Sequence, residues 1–147
     1  MDKIEQQIKR FNKIDIWLVV KNIIDQNEDF LIGLIRSQLL EGKDKYGKLP
    51  EYSPASRNYV KEKLNSGKIA SSTLPNMNLF YTGAFQESMK VLVKDKVIEI
   101  SSNDSKSDDL QGRYGVGILE PNEERMQQLV NFILPKLQNK LRKQLGY

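Results

Sequence analysis

Asn78-Leu79-Phe80-Tyr81-Thr82-Gly83-Ala84-Phe85, with the alternation around Val91 and Val93 that follows it, decides how this chain folds. An apolar and aromatic run enters Thr-Gly, and a short helical turn through Ala84-Phe85-Gln86-Glu87-Ser88 comes next, with Thr82 as its candidate cap. Val91 and Val93 then alternate with Lys90 and Lys94, the period of a half-buried strand. Lys94-Asp95-Lys96 turns the chain, and Ile98 and Ile100 alternate with Glu99 on the way back, so the spacing predicts a β-hairpin. Such a junction sets a helix against a sheet. It holds no nucleophile, metal ligand or phosphate loop.

Upstream, the chain reads as helices. Ile4, Ile8 and Phe11 recur near the helical period until Asn12-Lys13 interrupts them. Val19, Val20, Ile23 and Ile24 continue an apolar face, with Trp17 expected as a core anchor. Asn27 is placed to cap a new helix whose first turn carries Glu28 and Asp29. Leu31, Leu34, Ile35 and Leu39 form the buried stripe of that helix, which ends before Gly42. Gly42 to Tyr52 reads as a tight loop or hairpin with Asp44 in a turn. Its single acid falls short of the oxygen ligands a calcium loop needs. Ser53-Pro54 starts a helix that runs to about Asn65 and stops near Gly67. Lys68 to Met77 reads as a connector.

Downstream, Asn103 to Asp109 is polar and reads as a loop between strands. Gly112, Gly115 and Gly117 surround Arg113 and Tyr114 without the strand, helix and distal acid of a dinucleotide-binding unit, so these glycines are expected to let a strand or bulge approach another backbone. Pro121, Glu123 and Glu124 open the last helix. Met126, Leu129, Val130, Ile133, Leu134, Leu137, Leu141 and Leu145 recur at three- and four-residue steps, and Pro135 is expected to kink the run. That helix is expected to supply much of the core.

Composition narrows the chemistry. The 147 residues, 39% hydrophobic and 29% charged, suit one folded domain, 1–147, with 1–27 as a helical extension to a core of 28–147. No apolar run approaches a membrane span, and no export signal opens the sequence, so neither membrane contact nor export by that route is expected. Cysteine and histidine are both absent, which excludes disulfides, thiol catalysis and Cys/His zinc sites. Acid–base chemistry would rest on carboxylates or lysines, and the candidate groups Asp44, Glu87 and Glu99 show no convergence in sequence. The expectation is a protein without catalytic residues, cofactor or metal. The net charge of +4 is spread among acids, the pattern of a solvated surface. Nucleic-acid contact through Arg57, Lys61, Lys136, Lys140, Arg142 and Lys143 is the alternative reading.

The fold class expected is therefore α+β, a small antiparallel β-sheet packed against several helices with a long C-terminal amphipathic helix. The series Gln38-Leu39-x-x-Gly42-x-Asp44-x-x-Gly47-x-Leu49-x-x-Tyr52-Ser53, then Leu79-x-x-Thr82-Gly83-Ala84-Phe85, resembles small structural proteins of tailed bacteriophages and prophages, variously called tail-completion, neck or virion-morphogenesis proteins. The resemblance covers roughly residues 28–145. It implies a short helix, a β-hairpin, a strand containing Tyr114-Gly115 and a closing helix, in that order. It also implies a non-enzymatic subunit, made in the bacterial host cytoplasm and resident in the virion, at the head–tail connector or tail. Such a subunit forms a homo-oligomeric ring and meets portal, connector or tail-tube proteins, with possible passing contact with DNA. The loops 42–52 and 102–112 are the expected docking segments, carrying Lys43, Asp44, Tyr46, Asp108 and Arg113.

Overall fold

A computed structural model describes residues 2–67, 73–79 and 83–147. Its centre is the helix formed by Glu28–Leu40 (α3), because that segment buries a residue on nearly every turn: Leu31, Leu34, Ile35, Gln38 and Leu39. Two helices precede it, α1 (Lys3–Asn12) and α2 (Ile16–Gln26), capped by the carboxylates of Asp2 and Asp15. Asn27 does not cap α3 with its side chain. Its amide nitrogen turns back and donates to the Ile23 carbonyl at 2.7 Å, closing α2 instead.

After α3 the chain makes a tight hairpin, β1 (Lys43–Asp44) with β2 (Gly47–Lys48). The Asp44 carboxylate accepts from the backbone N–H groups of Tyr46 and Gly47, as its turn position requires. Gly42 has φ of +74°, and a Cβ there would lie 3.0 Å from Thr73 Oγ1 and 3.2 Å from the Met77 carbonyl oxygen, so only glycine fits. The helix α4 (Pro54–Asn65) is capped by Ser53, with proline in its first turn.

The hairpin expected around residues 90–100 is present as β3 (Met89–Lys94) and β4 (Val97–Ser102), paired antiparallel from Lys94↔Val97 to Met89↔Ser102. Asp95 and Lys96 both have positive φ, the two-residue turn whose twist matches that of its strands. Before it lies α5 (Ala84–Glu87), preceded by Gly83 at φ +83°. Thr82, the expected cap, lies outside the described residues. Ser102 Oγ donates to the Phe85 carbonyl and Asn103 N–H to that of Ser88, tying α5 to the hairpin.

Two expectations fail beyond this point. Ser107–Tyr114 is a helix (α6), so the polar loop expected over Asn103 to Asp109 gives way to helix from Ser107 on, with Leu110 and Tyr114 packed on the core. Tyr114-Gly115 ends that helix and leads into a 3-10 turn, Val116–Leu119, in place of a strand. The close approach expected of the glycines does occur, because the Gly117 carbonyl accepts from Lys45 N–H at 3.1 Å.

One buried cluster joins Ile35 and Leu39 to Leu49, Phe85, Met89, Ile118 and Leu119; a second joins Ile24 and Leu31 to Val91. The last helix, α7 (Glu123–Leu145), runs continuously through Pro135. It is not a main source of core. Leu129 and Ile133 pack on the second cluster and Phe132 stacks on Phe30 with centroids 3.7 Å apart, yet the one buried residue of α7 is Arg125. The apolar stripe is broader than the strip of α2 and α3 that receives it. Trp17, two turns ahead of Ile24, is half-buried and belongs to neither buried cluster, so it does not anchor the core.

The fold thus predicts a sharp difference between two aliphatic truncations. Ile35→Ala, at a fully buried site, should cost about 2–5 kcal/mol, and Val130→Ala on α7 less than about 1 kcal/mol, both read from urea unfolding of the isolated chain.

Candidate assembly surfaces

The entry to α7 is fixed by a buried amide. Gln38, with no exposed surface, donates from Nε2 to the Glu120 carbonyl at 2.9 Å and accepts at Oε1 from Asn122 N–H at 2.7 Å. Both halves of the amide are satisfied, as a buried polar group requires. Asn122 in turn caps α7 through Arg125 N–H. One turn further along α3's end, Glu41 receives the Arg125 guanidinium at 2.6 Å. That hydrogen bond holds the Glu41 carboxyl below its ordinary value of 4.5.

Fixing α7 there opens a cleft of about 600 Å³ between β4 and the segment that enters the helix. Its floor is Leu31, Leu34 and Ile35 of α3. One wall is β4, and the other is Val116, Pro121, Met126 and Leu129. At the rim Lys45 donates to Glu120 at 2.6 Å, which raises the lysine above its usual range. Glu99, exposed on β4, has no ion-pair partner among the described residues.

A second kind of surface is helical. Met126, Val130 and Leu134 stand in an i, i+4, i+8 row on α7 and are 46%, 44% and 47% exposed. On α1, Ile4, Ile8 and Phe11 form a similar row, and no residue of that helix is buried. The Arg10 guanidinium donates to the Leu145 carbonyl, so α1 lies beside the end of α7.

The residues singled out from sequence do not converge on one place. Lys43 pairs with Glu41 at 3.5 Å, Asp44 is held within its turn, and Tyr46 projects from the β1–β2 hairpin beside Gly117. Asp108 and Arg113 belong to α6 and not to a loop; Arg113 pairs with Asp109 one turn earlier. Arg57 is held by Glu51 and by the Tyr52 carbonyl, and Lys61 is exposed on the same helix, α4. Lys136 lies over the Phe132 ring, Lys140 donates to Gln26, and Arg142 and Lys143 face solvent in the last turn of α7. The two basic groups lie on helices that share no substantial interface.

Glu87 ends α5 and Glu99 lies on β4, while Asp44 is occupied by its turn. Among the described residues no three His, Cys, Asp or Glu side chains are grouped to hold a metal ion, and no helix is long and apolar enough to cross a membrane. The cleft escaped the sequence reading. Its trace there is Val97, apolar at a position of the hairpin that faces away from the core. No family model, curated protein or solved structure shows a significant match to this chain.

The Glu41–Arg125 pair predicts a pH dependence. A carboxyl held below its ordinary value adds stability that is present at neutral pH and lost as pH falls through its folded value. Glu41→Gln should therefore unfold at lower urea than the parent at pH 7. The gap should close at acid pH below 4.5, as followed by circular dichroism.

Proposed function

We propose that this chain is a non-enzymatic structural subunit of a tailed-phage or prophage particle, placed at the head–tail connector or tail, that works by assembling into an oligomeric ring. The observation that carries the reading is the set of apolar helical rows that the fold leaves uncovered. A ten-residue helix is marginal alone in water. α1 has an apolar row and buries none of it, so contact with a neighbouring surface supplies stability its own chain does not. α7 repeats the pattern over a longer span, with Met126, Val130 and Leu134 exposed on a helix already fixed at its start.

Rows of this kind suit assembly through shape and contact. A surface on one subunit that meets a different surface on the next generates a closed ring when the rotation closes. The sequence pattern around Gln38, Gly42, Asp44, Gly47 and Thr82-Gly83 adds the resemblance to phage tail-completion and neck proteins. The order of elements supports it in part: a short helix, a hairpin and a closing helix, with α6 and a 3-10 turn where the family pattern has a strand.

The mass of the purified protein, alone and after mixing with portal or tail-tube subunits, tests the proposal. A defined oligomer or a stoichiometric complex is expected without nucleic acid. The double variant Val130→Asp, Leu134→Asp should raise the concentration at which the assembly forms at least tenfold while its circular dichroism stays that of the parent. A chain that stays monomeric with every virion component overturns the proposal. So does one that binds duplex DNA with an affinity falling steeply as salt rises, which favours the basic residues of α4 and α7.

A further inference from the structure

The cleft beside β4 carries a second, independent message. Four consecutive residues of the strand, Val97 to Ile100, line it. Alternate residues of a strand point to opposite faces, so a cleft that touches all four runs along the strand's edge. The hairpin register then says which backbone groups meet it. Lys94 and Val97 close the two-residue turn and exchange hydrogen bonds; the bonded pairs recur at Leu92↔Glu99 and Lys90↔Ser101. Ile98 and Ile100 fall between them and direct their N–H and C=O groups away from β3. No backbone hydrogen bond among the described residues reaches either residue from outside the hairpin.

Size points to the same occupant. Four residues of edge span about 13 Å, so about 600 Å³ leaves a cross-section of roughly 46 Å². One strand, at about 4.8 Å between neighbours and about 10 Å between faces, occupies roughly 48 Å². The space suits one strand and not a hairpin. The edge is also undefended: natural edges are blunted by charge or proline, whereas this one carries the single acid Glu99 beside Val97, which is 59% exposed.

We infer that the cleft binds an extended segment of another protein, which adds as a third strand to β4 through Ile98 and Ile100, sets apolar side chains against the exposed Val116 and Met126 of the opposite wall and presents a basic residue to Glu99. A different protein is specified because the cleft takes one strand, while the described strands of this chain are each already paired in a hairpin. A two-stranded sheet is marginal, and the added strand extends its ladder. This site does not depend on the ring reading: assembly mass tests that one, peptide capture tests this one.

The test uses the full chain and a set of synthetic peptides of about eight residues that alternate Val or Ile with Lys, Arg, Thr or Ser. Fluorescence anisotropy reads binding, and NMR amide exchange reads Ile98 and Ile100. Members with a basic residue at the centre should bind. N-methylation of alternate peptide amides should weaken them at least tenfold, since it removes edge hydrogen bonds and keeps the side chains. Bound peptide should slow exchange at Ile98 and Ile100 at least tenfold. Val116→Arg, at an exposed position on the opposite wall, should abolish capture with unchanged circular dichroism, and Glu99→Lys should reverse the preference from basic to acidic peptides. The proposal is overturned if no member of the set binds at millimolar concentration, or if N-methylated and parent peptides bind equally. It is also overturned if Val116→Arg retains full affinity, or if exchange at Ile98 and Ile100 is unaltered.

Discussion

The burial of α3 governs this molecule. A thirteen-residue helix that hides Leu31, Leu34, Ile35, Gln38 and Leu39 must be surrounded by apolar neighbours, and each neighbouring element is placed by what it contributes. The β3–β4 hairpin gives Met89 and Val91, the 3-10 turn gives Ile118 and Leu119, and α2 gives Ile24. Gln38 adds direction to this packing. Its amide has two halves with opposite hydrogen-bonding needs, and both are met by the few residues that lead into α7. A shift of that segment would leave a buried donor or acceptor unpaired, at a cost of about 1–3 kcal/mol.

That arrangement explains why apolar surface remains outside. α3 is saturated before α7 arrives. The long helix therefore meets only a narrow strip of α2 and α3, holding Leu129, Phe132 and Ile133 there and leaving its next row bare. α1 comes last in this sense, with even less left to cover it. The same saturation opens the cleft: α7 is pinned at its start by Gln38 and Arg125, and the hairpin packs one face on α3, so a gap persists between β4 and the helix entry.

Much of the framework was legible because period and punctuation agree. The stripe of α3, the Ser53-Pro54 start of α4 and the alternation across β3 and β4 each couple an apolar spacing with a cap or turn residue of known preference. α6 was not legible for the converse reason. It has acids in its first turn and Gly115 at its end, but only Leu110 and Tyr114 mark its apolar side, too few to reveal a period. Asn27 misled because the same side chain can serve either the helix before it or the helix after it. With α7 the stripe was read correctly and its destination was not, since amphipathicity tells that a face is apolar but not whether the same chain covers it. The cleft depends on which strand edge lies open, and the alternation within a hairpin does not say.

The central claim is that the uncovered rows of α1 and α7 are interfaces between subunits. Hydrogen–deuterium exchange of the α1 amides, followed as protein concentration rises, tests it most directly. Rapid exchange across residues 3–12 in dilute solution, slowing steeply once copies associate, is the predicted result. Exchange in α1 that is equally slow at every concentration would show the helix secured by its own chain and contradict the account.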